Sequence, residues 1–326
     1  MPKGYHHLTH DQRCQIYILK ERGDLPSSIA KVLKVDRSTI SRELKRNTGQ
    51  KGYRHKQADQ KAKERRVSHP RKITPENILI IEEKLKEKWS PVQISGRLKK
   101  QGVISVSHET IYKHIWEDKK RGGSLYKNLR HHGKKYNKRS KGTAGRGCIP
   151  NRVDIDKRPP IVETKTRLGD WELDTIIGAE HNGVIVSMVE RTSKLTKLAK
   201  VSRKTAEEVR DALIEKLMPM QQFVFTLTAD NGKEFAYHQQ FGQALEAGVF
   251  FAKPYHSWER GLNEHTNGLV RQYFPKNKSF QDLSPEDVEW VEIQLNNRPR
   301  KILGFETPLE VFRKLSTTSM HYNALG

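Results

Sequence analysis

The sequence predicts a multidomain protein, with all-α modules at the N-terminus followed by an α/β unit. Three observations carry that prediction. Between residues 9 and 116 apolar side chains recur at helical spacing. Between 119 and 160 basic residues crowd out the apolar ones that a core needs. From about Val162 onward, short apolar runs bounded by turn-forming residues begin, and these read as strands. A length of 326 residues suits two domains of roughly 150 residues, with room for a third small one.

Charge narrows the class of partner. The chain carries 61 Lys and Arg against 38 Asp and Glu, a formal +23, with a pI near 9.9. A polyanion is the natural counterpart of such a surface, although a merely solvated basic surface has the same composition. No apolar run approaches the roughly 18 residues that span a bilayer, and the polar start has no signal-peptide centre, so the expectation is a cytoplasmic protein with no membrane partner. Cys14 and Cys148 lie far apart and form no CxxC pair, which suggests neither a disulfide framework nor a cysteine zinc site. The scattered histidines, including His6-His7 and His131-His132, are expected to contact solvent or backbone.

Thr9 with Asp11-Gln12-Arg13 opens a first helix that Gly23 ends. A second helix over 27–33, a tight turn at Lys34-Val35-Asp36 and a third helix over 37–46 follow. Ala30 is small where two helices must cross, and Ile29, Leu33, Val35, Ile40 and Leu44 close a tri-helical core. This is a helix-turn-helix pattern, and it leaves Arg37, Ser38, Thr39, Ser41, Arg42 and Arg46 outside, available to bases and phosphates in a major groove. Residues 51–72 read as a basic linker. Thr74 can cap a helix reaching about Lys88, Pro91 opens another at a tolerated first-turn position, and 107–116 makes a third. This second helix-turn-helix pattern, over 73–118, offers Ser107, His108, Thr110 and Lys113 as DNA contacts. Residues 119–160 are expected to be a flexible basic linker.

The remaining stretch, 161–326, carries the chemistry. Strands are expected over 171–177, 184–189 and 195–201, and a helix from Thr205, whose Thr-Ala-Glu-Glu start has the form of a capping box. A buried strand over 223–228 stops at Asp230-Asn231-Gly232, a turn-forming triplet. Asp230 therefore sits at the carboxyl end of a strand, where open α/β sheets carry their ligand sites. A helix over 237–246, a strand over 249–252, a loop through 254–261 and a helix bearing Glu264 complete the order. Three strands, helix, strand, helix, strand, helix is the ribonuclease-H-like order. Asp170, Glu172 and Asp174 alternate on one face of the first strand, so carboxylates from three separate elements can converge.

Asp174 within Trp171-Glu172-Leu173-Asp174-Thr175-Ile176, Asp230 within Thr228-Ala229-Asp230-Asn231-Gly232-Lys233-Glu234-Phe235, and Glu264 within the stretch from Trp258 to Lys276 resemble the Asp-Asp-Glu signature of bacterial insertion-sequence transposases. They most closely resemble the insertion-sequence-thirty family, whose catalytic core is similar to retroviral integrases. Asn296-Asn297-Arg298-Pro299-Arg300 and the residues after it, to Pro308, resemble that family too, and the likeness covers almost the whole chain. It implies a DNA transposase that binds terminal inverted repeats, cleaves a strand, and transfers the freed 3′ hydroxyl to target DNA. It also implies a bacterial, nucleoid-associated setting and Asp174 as the first catalytic acid in preference to Asp170 or Glu172. The chemistry agrees: phosphodiester cleavage needs an activated water and a stabilised leaving oxygen, which two Mg²⁺ ions about 3.5–4 Å apart supply, with Mn²⁺ able to substitute. Hard cations take oxygen ligands, so Asp174, Asp230 and Glu264 are the expected metal ligands. Arg271 is a further expected phosphate contact, with Lys276 and Lys278 behind it, and Trp258 could stack on a base or buttress its loop. Pairing two DNA ends suggests a homodimer or higher oligomer. A structure-specific nuclease or a DNA-binding regulator with an inert core are the alternatives.

Overall fold

The computed structural model describes residues 7–67, 74–130, 149–253 and 261–324. The chain divides into two compact units, residues 1–74 and 75–326. In the first, α1 (His10–Glu21), α2 (Pro26–Val32) and α3 (Arg37–Asn47) form in the expected order. Thr9 and Gln12 cap α1 reciprocally, at 3.2 and 2.9 Å. Ile16, Ile29, Ala30, Leu33 and Ile40 are buried together, with Val35 and Leu44 partly covered.

The residues expected as the first linker instead hold a further helix, α4 (His55–Val67). Tyr53 and Ala58 join the same core. Their neighbour Asp59 is held by Arg13 at 3.0 Å. α4 lacks an apolar stripe because its anchors are one small residue and one ion pair, which hydrophobic periodicity does not register.

The second unit begins with α5 (Pro75–Lys86), α6 (Pro91–Lys100) and α7 (His108–Lys120). Ser90 caps α6 in a box with Gln93, and Ile81, Leu85, Ile94, Leu98, Ile111 and Ile115 are buried. These helices share one compact unit with the sheet that follows. Arg97 of α6 chelates Glu310 at 2.8 and 2.5 Å, and Lys100 reaches Glu306 at 2.9 Å. Gly96 is required at this approach, since a Cβ there would lie 2.2 Å from the Phe305 ring.

The expected linker over 119–160 is also shorter than its composition suggests. Leu125 is buried, and Lys88 donates to Asn128 at 3.1 Å. Ile149 and Ile155 are buried as well, and Val153 accepts a backbone hydrogen bond from Phe251 at 2.9 Å. Widely spaced single apolar residues anchor these segments, so the basic composition conceals them. Residues 131–148, with Cys148 and His131-His132, lie outside the described residues.

A five-stranded sheet forms from β1 (Asp170–Ile177), β2 (Val184–Glu190), β3 (Thr196–Val201), β4 (Thr226–Ala229) and β5 (Gly248–Phe251), in the order β3-β2-β1-β4-β5. β1, β2 and β3 pair antiparallel, while β4 and β5 continue in parallel from β1. Around it lie α8 (Ile161–Thr164), α9 (Ala206–Leu217), α10 (His238–Ala244), α11 (Gly261–Val270), α12 (Pro285–Asn296) and α13 (Pro308–Ala324). Leu173, Val186, Met188 and Leu227 pack with Val209 and Leu213 of α9 in one cluster. Ile176, Ile185 and Leu198 pack with Leu269 and Val270 of α11 and Val291 of α12 in the other. The chain order is the ribonuclease-H-like one, with an all-α N-terminal region before it. β4 is shorter than the apolar run 223–228, because Phe223 closes a 3₁₀ turn and its carbonyl accepts from Trp171 Nε1 at 2.8 Å. No helix among the described residues is long and apolar enough to cross a membrane.

Candidate active site

Strand register relates the acids of β1 to the end of β4. β1 and β4 pair with Asp170 opposite Thr226 and Glu172 opposite Thr228. The pairing ends there; the same register carried on by two residues reaches Asp174 and Asp230, the residue that directly follows β4. Neighbouring strands are about 4.8 Å apart and residues two apart share a face, so both aspartates belong to one face at one level of the sheet. Asp230 Oδ1 accepts from the Gly232 N–H at 2.9 Å. Asn231 ties the same loop to Ala252 O at 2.7 Å and to Arg152 Nη1 at 2.5 Å.

α11 crosses that face. Asn263 Nδ2 donates to Leu173 O at 3.1 Å, Asn267 Nδ2 to Asp174 Oδ2 at 2.6 Å, and Arg271 Nη2 to Ile177 O at 2.6 Å. Ser187 Oγ donates to the other end of the Asn267 amide at 3.2 Å. Residues at i, i+4 and i+8 thus fix α11 along β1 through polar contacts. Glu264, exposed on the first turn of α11, is carried to the same region. Among the described residues, the three carboxylates are not drawn to within 4.8 Å of one another as a set. Trp258 lies outside the described residues.

The rival acids have other partners. Asp170 accepts from Arg167 at 3.0 and 3.1 Å and from the Thr226 hydroxyl at 2.8 Å. Glu172 lies 3.4 Å from Arg191 Nε, and Arg191 also pairs with Glu163 at 3.2 Å. Arg158 donates to Thr228 Oγ1 at 2.8 Å and pairs with Glu163. Asp170 and Glu172 are therefore tied to guanidinium groups, and Asp174 receives the neutral amide of Asn267. Arg158 sat in a presumed linker, and nothing in the local pattern marks it.

Beside these residues a cavity of about 1250 Å³ opens between β1, α11 and the start of α6. His265 faces it and keeps contact with solvent there. Desolvation, followed by the charges of Arg300, Arg130 and Arg298, pushes its pKa down to about 4. Burial likewise pushes Arg298 down to about 10 and Arg300 to about 9.

Comparison with known proteins places the chain. A transposase for insertion sequence element IS4351 from Bacteroides fragilis is 47% identical over 313 residues, covering 95% of this chain and 96% of that protein. Transposase InsI for insertion sequence element IS30A from Escherichia coli is 34% identical, covering 94% of this chain and 84% of that one. The chain belongs to the insertion-sequence-thirty family of transposases. A transposase for IS1086 from Cupriavidus metallidurans, 35% identical with 95% of each chain covered, is a further relative in the family. Residues 4–47 match a helix-turn-helix domain and 39–115 a homeodomain-like domain. The catalytic core domain of BIV integrase aligns at a TM-score of 0.38 and 21% identity, covering 46% of this chain and 97% of that one.

In this family member the helix-turn-helix faces are open. Arg37, Ser38, Ser41, Arg42 and Arg46 are exposed on α3 and Thr39 is half-buried. Asp36 caps the helix by accepting from Ser38 N at 2.7 Å. On α7, His108 and Lys113 are exposed, while the Ser107 hydroxyl caps the helix by accepting from Thr110 N at 3.3 Å and meets the Thr110 hydroxyl at 2.8 Å. Arg271, half-buried against Ile177 and stacked 5.3 Å from the Phe280 ring, joins elements as well as offering charge. One grouping went unread in the sequence: His10, Cys14 and His55 bring donor atoms within 4.8 Å of one another. The two histidines belong to helices 45 positions apart, and only folding juxtaposes them.

Proposed function

We propose that the chain is a DNA transposase that binds the terminal inverted repeats of its element through its N-terminal helices. Asp174, Asp230 and Glu264 serve strand cleavage and then transfer of the 3′ hydroxyl to target DNA. What supports this reading is the parallel pairing of β1 with β4, whose register carried on by two residues reaches Asp174 and Asp230, together with the hydrogen bond from Asn267 of α11 to Asp174. The donor set is entirely carboxylate oxygen, which suits a hard divalent cation. Asp174, Asp230 and Glu264 would hold two Mg²⁺ ions, or Mn²⁺ in their place, which when bound would supply an activated water and stabilise the leaving oxygen.

The chain's own residues have distinct tasks. Asp174, fixed by Asn267 and by its own strand, is the static ligand. Asp230 is held by its Asx turn, and Glu264, on the exposed first turn of α11, is the member best placed to move. Arg37, Ser38, Thr39, Ser41, Arg42 and Arg46, with Ser107, His108, Thr110 and Lys113, are the proposed DNA contacts, joined by Arg271. The protein would act in the bacterial cytoplasm on double-stranded DNA, as a homodimer or higher oligomer that pairs two ends.

The test is a supercoiled plasmid carrying the gene with its natural flanks, incubated with purified protein and Mg²⁺ and mapped at nucleotide resolution. Cuts or joints at the flanks should appear, and should vanish with chelator and in Asp174→Asn, Asp230→Asn and Glu264→Gln. Hydrolysis without any joined product would instead indicate a nuclease, and tight flank binding without cleavage a regulator.

A further inference from the structure

The cavity beside α11 has an imbalance of charge that its own walls do not settle. Its acids are engaged: Glu163 and Glu172 with Arg158 and Arg191, and Asp156 with Lys253 at 2.7 Å. Its cations are not all matched. Arg300, 7% exposed, donates from Nη2 to Leu295 O at 3.0 Å, and its Nη1 is buried without an acceptor. Arg191, 4% exposed, is paired with Glu163 and Glu172, yet its Nε and Nη1 make no hydrogen bond. Lys165 and Lys301, both exposed on the cavity wall, pair with no carboxylate among the described residues.

A buried guanidinium with an unmade hydrogen bond costs folding energy, and retaining two such groups on one cavity is costly unless something else satisfies them. The ligand that fits is an anion presenting several acceptor oxygens, because Arg engages phosphate through paired N–H groups. Position indicates where the phosphate comes from. Glu172, on the cavity wall, is two residues from Asp174 along β1, about 7 Å in an extended strand. Leu262, His265 and Thr266 of the wall belong to the helix that bears Glu264.

We infer that this cavity binds successive backbone phosphates of the DNA strand that leads away from Asp174, with Arg300, Arg191, Lys165 and Lys301 as its cationic wall. The inference rests on the proposed cleavage site but is tested without cleavage. It also gives the stretch around Arg298 to Lys301 a task beyond packing: to hold the strand in register while the reacting phosphate is attacked.

The experiment measures binding of full-length protein to a duplex bearing the natural flank, by fluorescence anisotropy in EDTA over a series of KCl concentrations. Each lost phosphate contact reduces the slope of log K against log salt by about 0.9. Lys165→Gln and Lys301→Gln, both at exposed positions, should each lose about that much, and Arg300→Gln at least as much. Lys314→Gln, an exposed lysine on α13, should not change it. Should Arg300→Gln fail to fold, the two lysine variants decide alone. Unchanged slopes in both, or an equal loss in Lys314→Gln, would overturn the proposal. A second arm adds inorganic phosphate at constant ionic strength and follows the melting temperature. Stabilisation lost in Lys301→Gln while DNA slopes stay at the wild-type value would assign the cavity to free phosphate and overturn the DNA assignment. Plasmid cleavage is scored separately, so a protein that never cuts DNA refutes the transposase reading while the slopes still decide the cavity.

Discussion

Asn267 is the side chain that couples the helix bearing Glu264 to the strand bearing Asp174. Its Nδ2 donates to Asp174 at 2.6 Å and its carbonyl accepts from Ser187 at 3.2 Å, so the amide has one orientation that satisfies both. Asn267→Ala removes that orientation without emptying a core, and it should lower metal-dependent flank cleavage about 10–100-fold, the usual cost of losing a group that positions a metal ligand. The Mg²⁺ concentration for half-maximal rate should rise, and DNA affinity in EDTA should stay. Cleavage at the wild-type metal requirement would remove Asn267 from the positioning role. The shared face of Asp170, Glu172 and Asp174 on β1 was legible because a strand's period of two assigns faces without tertiary knowledge. Asn263 and Asn267 act across about ninety residues of chain, and no local pattern distinguishes them from ordinary helix-surface amides.

Elements were legible wherever an apolar period marked them, as in α3, α9 and the first three strands. They were not legible where polar pairs do the anchoring, and α4 is the clear instance. Arg13 of α1, 6% exposed, donates to Glu43 of α3 at 2.8 Å and to Asp59 of α4 at 3.0 Å, and the Tyr53 hydroxyl adds a bond to Glu43 at 3.1 Å. Three helices of the N-terminal unit thus meet on one buried guanidinium. Glu43→Ala would leave Arg13 with a single carboxylate and Tyr53 without its acceptor. Breaking such a buried pair from one side costs about 3–5 kcal/mol. Chemical denaturation of the full chain, followed by circular dichroism, should show that loss. The double change Arg13→Met with Glu43→Leu should lose less, because the buried guanidinium and carboxylate are removed together and Asp59 keeps Lys63 at 2.7 Å. Equal losses in the two proteins would mean that the ion pair itself, not the stranded charge, carries the stability.

At the scale of the whole molecule, the second three-helix pattern is integrated with the sheet unit although its sequence reads as a separate module. The joining contacts span more than two hundred residues: Arg97 to Glu310, Lys100 to Glu306, and Arg298 Nε to Gln93 Oε1 at 2.8 Å. Such pairs cannot be read from spacing, since either partner alone resembles a solvated surface charge. Their titration makes the joint testable. The Arg97 hydrogen bond holds the Glu310 carboxyl below its ordinary range. A carboxylate with a lowered folded pKa stabilises the protein above its unfolded value, about 4.3, and that stabilisation disappears as pH falls through the lower folded value. Glu310 is 43% exposed against 14% for Arg97, so the pair is worth a surface magnitude of about 0.5–1 kcal/mol. Glu310→Gln should therefore lower the melting temperature at pH 7, and the gap from the wild type should close as the pH is taken well below 4. A gap of the same size at both ends would show that the packing of Gly96 against Phe305, rather than the charge pair, carries the joint between α6 and the C-terminal helix.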